Sequence, residues 1–189
     1  MNLSSKLLRI CTGVQAAAII AISMPVSTSY AAAPDPNWHV VKTQYKTDDY
    51  VIAGYEAKDF GISANGRTDV TEKIQTALDE LYKIGGGTLF LPAGRYVVKG
   101  TLKIPQGVIL AGDWQSPDEN NGKAAGTILM AYSGRGENDI NDNYDSETEN
   151  MPFITLEPNA SIKGINIWYP EQAPDNIVPY PTTIRMYDP

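Results

Sequence analysis

Thr68-Asp69-Val70-Thr71-Glu72-Lys73-Ile74-Gln75-Thr76-Ala77-Leu78-Asp79-Glu80-Leu81-Tyr82-Lys83-Ile84-Gly85-Gly86-Gly87-Thr88-Leu89-Phe90-Leu91-Pro92-Ala93-Gly94 contains the change of period that decides the fold. Thr68 and Asp69 offer N-cap oxygens, and Glu72, three residues after Asp69, would complete a capping box. Ile74, Ala77, Leu78 and Leu81 recur at helical spacing, which predicts a helix over 70–82 with that stripe buried. Three glycines end it, because glycine accepts the left-handed backbone of a C-cap. A phosphate cradle needs its glycines after a strand and before a helix, and here the order is reversed.

Beyond the glycines the period becomes that of short strands. Thr88-Leu89-Phe90-Leu91, Arg95-Tyr96-Val97-Val98, Thr101-Leu102-Lys103-Ile104 and Val108-Ile109-Leu110-Ala111 are separated by Pro92-Ala93-Gly94, Lys99-Gly100 and Pro105-Gln106-Gly107. Thr127-Ile128-Leu129-Met130, Phe153-Ile154-Thr155-Leu156 and residues 160–167 follow at wider intervals. Many short strands with turn signals between them suit a sandwich, a barrel or a β-solenoid. Leu89, Val108, Ile128 and Ile154 recur roughly once per 20 to 25 residues, the rise of a solenoid coil, so their strands are expected to stack in parallel. An antiparallel sandwich is the alternative on pattern alone.

Residues 57–71 (Ala-Lys-Asp-Phe-Gly-Ile-Ser-Ala-Asn-Gly-Arg-Thr-Asp-Val-Thr), Ile74-Gln75-Thr76-Ala77-Leu78, and residues 85–96 from the triple glycine to Tyr96 together resemble the entry motif of the pectate-lyase-like superfamily. Asn65 and Val70 depart from it, standing where aspartates are usual. The resemblance implies an all-β fold, a right-handed parallel β-helix (solenoid), with the helix as an N-terminal cap over unpaired strand edges. It gives Arg67 and Asp69 structural rather than catalytic roles. Superfamily members that cleave glycans use paired acidic residues, or a basic residue assisted by calcium, on later coils. No catalytic residue is therefore identified in this stretch.

The flanks set the compartment. Lys6 and Arg9, an apolar run over 10–22, and small residues Ser29 and Ala31 before a cleavage point read as a secretory signal peptide at 1–31. The apolar run is shorter than the roughly 20 residues that span a bilayer, which argues against an anchor. Residues 32–54 form a leader rich in Pro, Asp and Tyr, and residues 55–189 are the expected β-helix coils. The strand-like ending suggests that the chain is a fragment truncated at its C-terminus. Cleavage removes Cys11, the sole cysteine, and so excludes disulfides; loss of Lys6 and Arg9 takes the net charge from −7 to −9. So acidic a chain does not suit nucleic acid or, once the signal is removed, a membrane surface. A neutral glycan fits, whereas a polyuronate needs a local basic patch or bridging cations.

Trp114, Trp168 and Tyr169 sit at strand ends, where aromatic planes can stack on sugar rings, and are the candidate substrate-binding residues; packing onto the β-helix is the competing role. Asp139, Asn141, Asn143 and Asp145 alternate in an acidic loop and are the candidate calcium ligands, although Tyr144 and Asn150 break the EF-hand pattern. His39 is the single histidine and lies in the leader, so histidine general-base chemistry and Ser-His-Asp triads are not expected. The expectation is a secreted, polysaccharide-directed protein, part of a glycoside hydrolase or polysaccharide lyase. A non-catalytic adhesin or glycan-binding surface protein is the alternative, and a phage tailspike is disfavoured by the signal peptide.

Overall fold

The short runs resolve into fourteen strands among the described residues of the computed structural model, which are 33–120, 122–123, 125–136 and 151–186. The signal peptide expected at 1–31 and the calcium ligands expected at Asp139, Asn141, Asn143 and Asp145 lie outside them. In chain order the elements are β1 (His39–Val40), β2 (Ile52–Ala53), β3 (Tyr55–Glu56), a 3-10 turn (Ala57–Phe60), β4 (Asn65–Asp69), α1 (Thr71–Lys83), β5 (Gly87–Leu91), β6 (Gly94–Val98) and β7 (Leu102–Ile104). There follow β8 (Val108–Gly112), β9 (Trp114–Gln115), a 3-10 turn (Pro117–Asn120), β10 (Ala125–Ala131), β11 (Ile154–Leu156), β12 (Ser161–Lys163), β13 (Ile165–Trp168) and β14 (Ile184–Met186).

The strands form three parallel sheets with orders β3–β5–β8–β12, β4–β6–β10–β13 and β7–β11–β14. Among the described residues, β1–β2 and β9–β10 are the antiparallel strand pairs, beside an isolated antiparallel bridge between Ala173 and Asn176. The sandwich alternative is thereby removed, but the expected single stack needs correction. Leu89 pairs with Leu110 in the first sheet, as anticipated, whereas Ile128 belongs to the second, between Arg95 and Asn166, and Ile154 to the third, beside Leu102. Successive strands are distributed among three sheets, so equal sequence spacing does not reveal which sheet the next strand joins.

Alternation within strands sends one set of side chains inward. Leu89, Leu91, Tyr96, Val98, Leu102, Ile104, Leu110, Leu129 and Ile154 join one core, all at 0–1% exposure. At the corner between the first two sheets, backbones touch: a Cβ on Gly164 (φ +66°) would lie 2.5 Å from Gly112 O, and one on Gly112 would lie equally close to Gly164 O. Only glycine permits that approach. Asn159, at φ +60°, makes the turn into β12.

The α1 stripe behaves as its spacing predicts, with Ile74, Ala77, Leu78 and Leu81 at 0% exposure. Full burial of each Ile or Leu stabilises by about 1.5–3 kcal/mol. The expected capping box does not form. Val70 occupies the N-cap because its N–H is still bonded to Val97 O at 2.9 Å, which holds the chain in the sheet one residue further than expected. Asp69 instead accepts from Thr71 N–H and Thr71 O–H, at 3.0 and 2.6 Å.

Candidate functional site

A polymer ligand needs an uncovered surface, and the three sheets differ in what lies on their outer faces. On the first, the leader folds back: Val41, Val51 and Ala53 pack with the outward-facing Phe90 and Ala111 in a separate buried cluster. His39 fastens this hairpin, its Nδ1 2.5 Å from Asn37 O and its Nε2 2.8 Å from Glu56 Oε1, which also receives Lys58 Nζ at 2.7 Å. The second face carries an apolar cluster, Val97, Ile128 and Met130 beside Tyr132, with Arg95 Cζ placed 5.4 Å from the Trp168 ring centroid.

The third face is polar. Its outward ladder runs Lys103, Thr155, Arg185 through β7, β11 and β14, while the flanking Leu102, Ile104, Ile154 and Leu156 are buried. At about 4.8 Å per strand, Lys103 and Arg185 stand roughly 10 Å apart along the stack. Lys103 Nζ bonds Glu157 Oε1 at 2.5 Å, and that hydrogen bond is the main reason the Glu157 carboxyl lies below its usual pKa.

A groove of about 480 Å³ opens where the leader meets the corner between the first and second sheets. Thr43, Lys46, Thr47 and Asp49 supply one wall, and Asp113, Trp114 and Lys163 are among the residues facing them. Asp113 is only 3% exposed, and its carboxylate accepts from Gln44 N–H (2.5 Å) and Tyr45 N–H (3.4 Å). Its own N–H donates to Thr127 Oγ1 at 2.8 Å, and Thr127 O–H donates to Leu91 O at 2.7 Å. A buried carboxylate thus ties the leader loop to the sheet corner.

The aromatic candidates do not converge. Trp114 borders the groove, half exposed at 51%. Trp168 lies on the second face beneath Arg95. Tyr169 packs between Phe153 and Tyr180, with centroids 6.3 and 4.6 Å away, and its hydroxyl is 2.9 Å from Thr183 Oγ1. Lys46, Lys103, Lys163 and Arg185 were not singled out by sequence, because single basic residues in an acidic chain carry no motif. The alternation around Lys103 was the available signal.

A glycosidase-type acid would need a raised carboxyl pKa. Glu56, Asp69 and Glu157 are instead held low. For Glu56 and Asp69, burial pushes upward but is outweighed, by Lys58 and His39 at Glu56 and by Thr71 and Lys99 at Asp69. Among the described residues no three His, Cys, Asp or Glu side chains are grouped to hold a metal, and no helix is long and apolar enough to cross a membrane.

The family model for rhamnogalacturonase A/epimerase, pectate lyase-like proteins matches residues 55–175. The chain belongs to this family. In this pectate-lyase-like chain the strands lie in three parallel stacks. Alginate lyase 7 of Azotobacter vinelandii is 45% identical over 56 residues, covering 30% of this chain and 6% of that protein. Mannuronan C5-epimerase AlgE1 of the same organism is 39% identical over 93 residues, covering 42% of this chain and 7% of the epimerase. The tail spike protein of Shigella phage Sf6 is 35% identical over 134 residues, 67% of this chain and 19% of that protein. The chain therefore spans a small part of the length of each of these relatives.

Proposed function

We propose that this is a secreted, polysaccharide-directed protein whose three sheets are the faces of a right-handed solenoid capped by α1, and that a glycan chain lies along the outer face of β7, β11 and β14. The carrying observation is the ladder Lys103, Thr155, Arg185, a polar outward row on a face that neither the leader nor an apolar cluster occupies. Two basic side chains on one row suit an acidic polymer, Lys103 by exchanging its Glu157 partner for a polymer carboxylate, in keeping with the alginate and mannuronan named for the two Azotobacter relatives. No strand residue on this row is a carboxylate, so the described face is suited to holding a polymer and lacks the acid pair of a glycosidase.

The test is affinity electrophoresis of the purified chain through gels containing alginate, pectin or a neutral glucan, with and without calcium. Retardation by the two acidic polymers, weakened by Lys103→Gln with Arg185→Gln, is the expected result. Unretarded migration in every gel, or equal retardation of the double variant, would overturn the reading. Assays for reducing ends and for unsaturated uronates are expected to show no turnover by the 189-residue chain; turnover would mean that carboxylates off this row act.

A further inference from the structure

The groove at the other corner of the coil has no part in that reading. We propose that it is a separate binding site for a short acidic saccharide, with the sugar face on Trp114 and a carboxylate between Lys46 and Lys163. Its volume, about 480 Å³, is that of a small-molecule site. Trp114 is 51% exposed where it lines the groove, which leaves apolar aromatic surface for the C–H face of a sugar.

Two lysines mark where a single negative group would sit, although Asp48, Asp49 and Asp113 leave the lining as a whole acidic. Lys46 comes from the leader loop and Lys163 from the end of β12, so the two ammonium groups belong to different walls. Neither has an ion-pair partner among the described residues, whereas Lys58, Lys83 and Lys103 are each paired. Asp48 and Asp49 also line the groove. Their repulsion favours a ligand whose negative charge is confined to one end, placed at the lysines, over a long polyanion filling the cavity. Thr43 and Thr47 add hydroxyls suited to sugar oxygens.

The walls are fixed before any ligand arrives. Asp113 binds Gln44 N–H and Tyr45 N–H, which sets the leader loop, and the Gly112–Gly164 contact sets the opposite corner. Trp114 is held by β9 pairing with β10, opposite Gly126. A preformed wall avoids the ordering cost that weakens binding at a loose loop.

The test uses the whole chain, with mannotrionate, which carries a single terminal carboxylate, as probe and neutral mannotriose as its control, read by calorimetry and by tryptophan fluorescence. The expected result is binding of mannotrionate alone, weakened about tenfold or more in Trp114→Ala and in Lys163→Gln, reduced by added salt, and unchanged in Arg185→Gln. Equal affinity for mannotriose, or unaltered affinity in Lys163→Gln with its circular dichroism and melting temperature also unaltered, would overturn the proposal. Loss of trimer binding in Arg185→Gln would overturn it too, by moving the ligand to the third face. Polymer retardation is expected to survive Trp114→Ala, so failure at the groove and failure at the ladder are separable.

Discussion

Gln75 and Lys103 are joined by two hydrogen bonds: Lys103 N–H donates to Gln75 Oε1 at 2.9 Å, and Gln75 Nε2 donates to Lys103 O at 2.9 Å. A side-chain amide on α1 takes the place of a strand beside β7, the first strand of its sheet. Thr71 does the same nearby, its Oγ1 accepting from Lys99 N–H at 2.9 Å and Gly100 N–H at 3.2 Å. These bonds are the physical content of the capping role proposed for α1.

Gln75→Ala should therefore destabilise the fold by about 1–2 kcal/mol, two hydrogen bonds at the modest net value expected where water can replace the lost partner. Gln75→Glu retains the acceptor and loses the donor to Lys103 O, and should not restore stability. Urea unfolding of the three proteins checks this, and wild-type midpoints for both variants would show that the amide bonds are idle.

Leu78 lies at 0% exposure in the α1 stripe. Leu78→Ala is expected to cost about 2–5 kcal/mol through the cavity left behind, and Leu78→Asp at least as much through an unpaired buried charge. Thermal melting of both proteins is the measurement; an unchanged Leu78→Asp would mean that α1 covers no core.

The leader hairpin should be pH-sensitive through His39. Its pKa is raised, chiefly by the Asn37 carbonyl and then by Glu56, both of which favour the imidazolium. A raised folded-state value means that the contribution is complete below the unfolded pKa of about 6.5 and is lost as pH rises through the folded value. An NMR titration of this single histidine should give a pKa above the ordinary value, and Glu56→Gln should lower it. A wild-type midpoint at the ordinary value would refute the ion-pair account.

Gly86 and Gly85 both have positive φ, +106° and +97°, but a Cβ on Gly86 would fall 2.5 Å from Gly107 O, whereas one on Gly85 meets nothing within 4 Å. Gly86→Ala should accordingly destabilise by well over about 1 kcal/mol, and Gly85→Ala by only the backbone strain, of the order of 1 kcal/mol. Equal losses in chemical denaturation would show that the close approach to the β7–β8 turn is not rigid.

Asp113→Ala removes the acceptor of Gln44 N–H and Tyr45 N–H. Loss of the shorter, charge-assisted bond alone should cost about 1.5–3 kcal/mol, and the cleavage rate of the leader under limited proteolysis should rise before the parallel sheets themselves unfold. Unchanged leader cleavage would place its attachment elsewhere, in the Val41, Val51 and Phe90 cluster.

Local order in this protein was written in local sequence. The period of Ile74, Ala77, Leu78 and Leu81 gave the buried face of α1, Gly85-Gly86-Gly87 gave its end, and alternation gave which of Leu102, Lys103 and Ile104 points outward, because side-chain direction follows from backbone geometry within a few residues. The partners of each strand were not written there. Ile128 pairs beside Arg95 rather than Leu110 because the sheet a strand joins is decided by pairing between segments distant in the chain. The failed capping box has the same origin, since the Val70 N–H is held by Val97, far along the chain. Both candidate surfaces are likewise products of tertiary structure: Lys103 shares a row with Arg185, and Lys46 a groove with Lys163 and Trp114, only after distant segments come together, and no spacing rule within a segment encodes those placements.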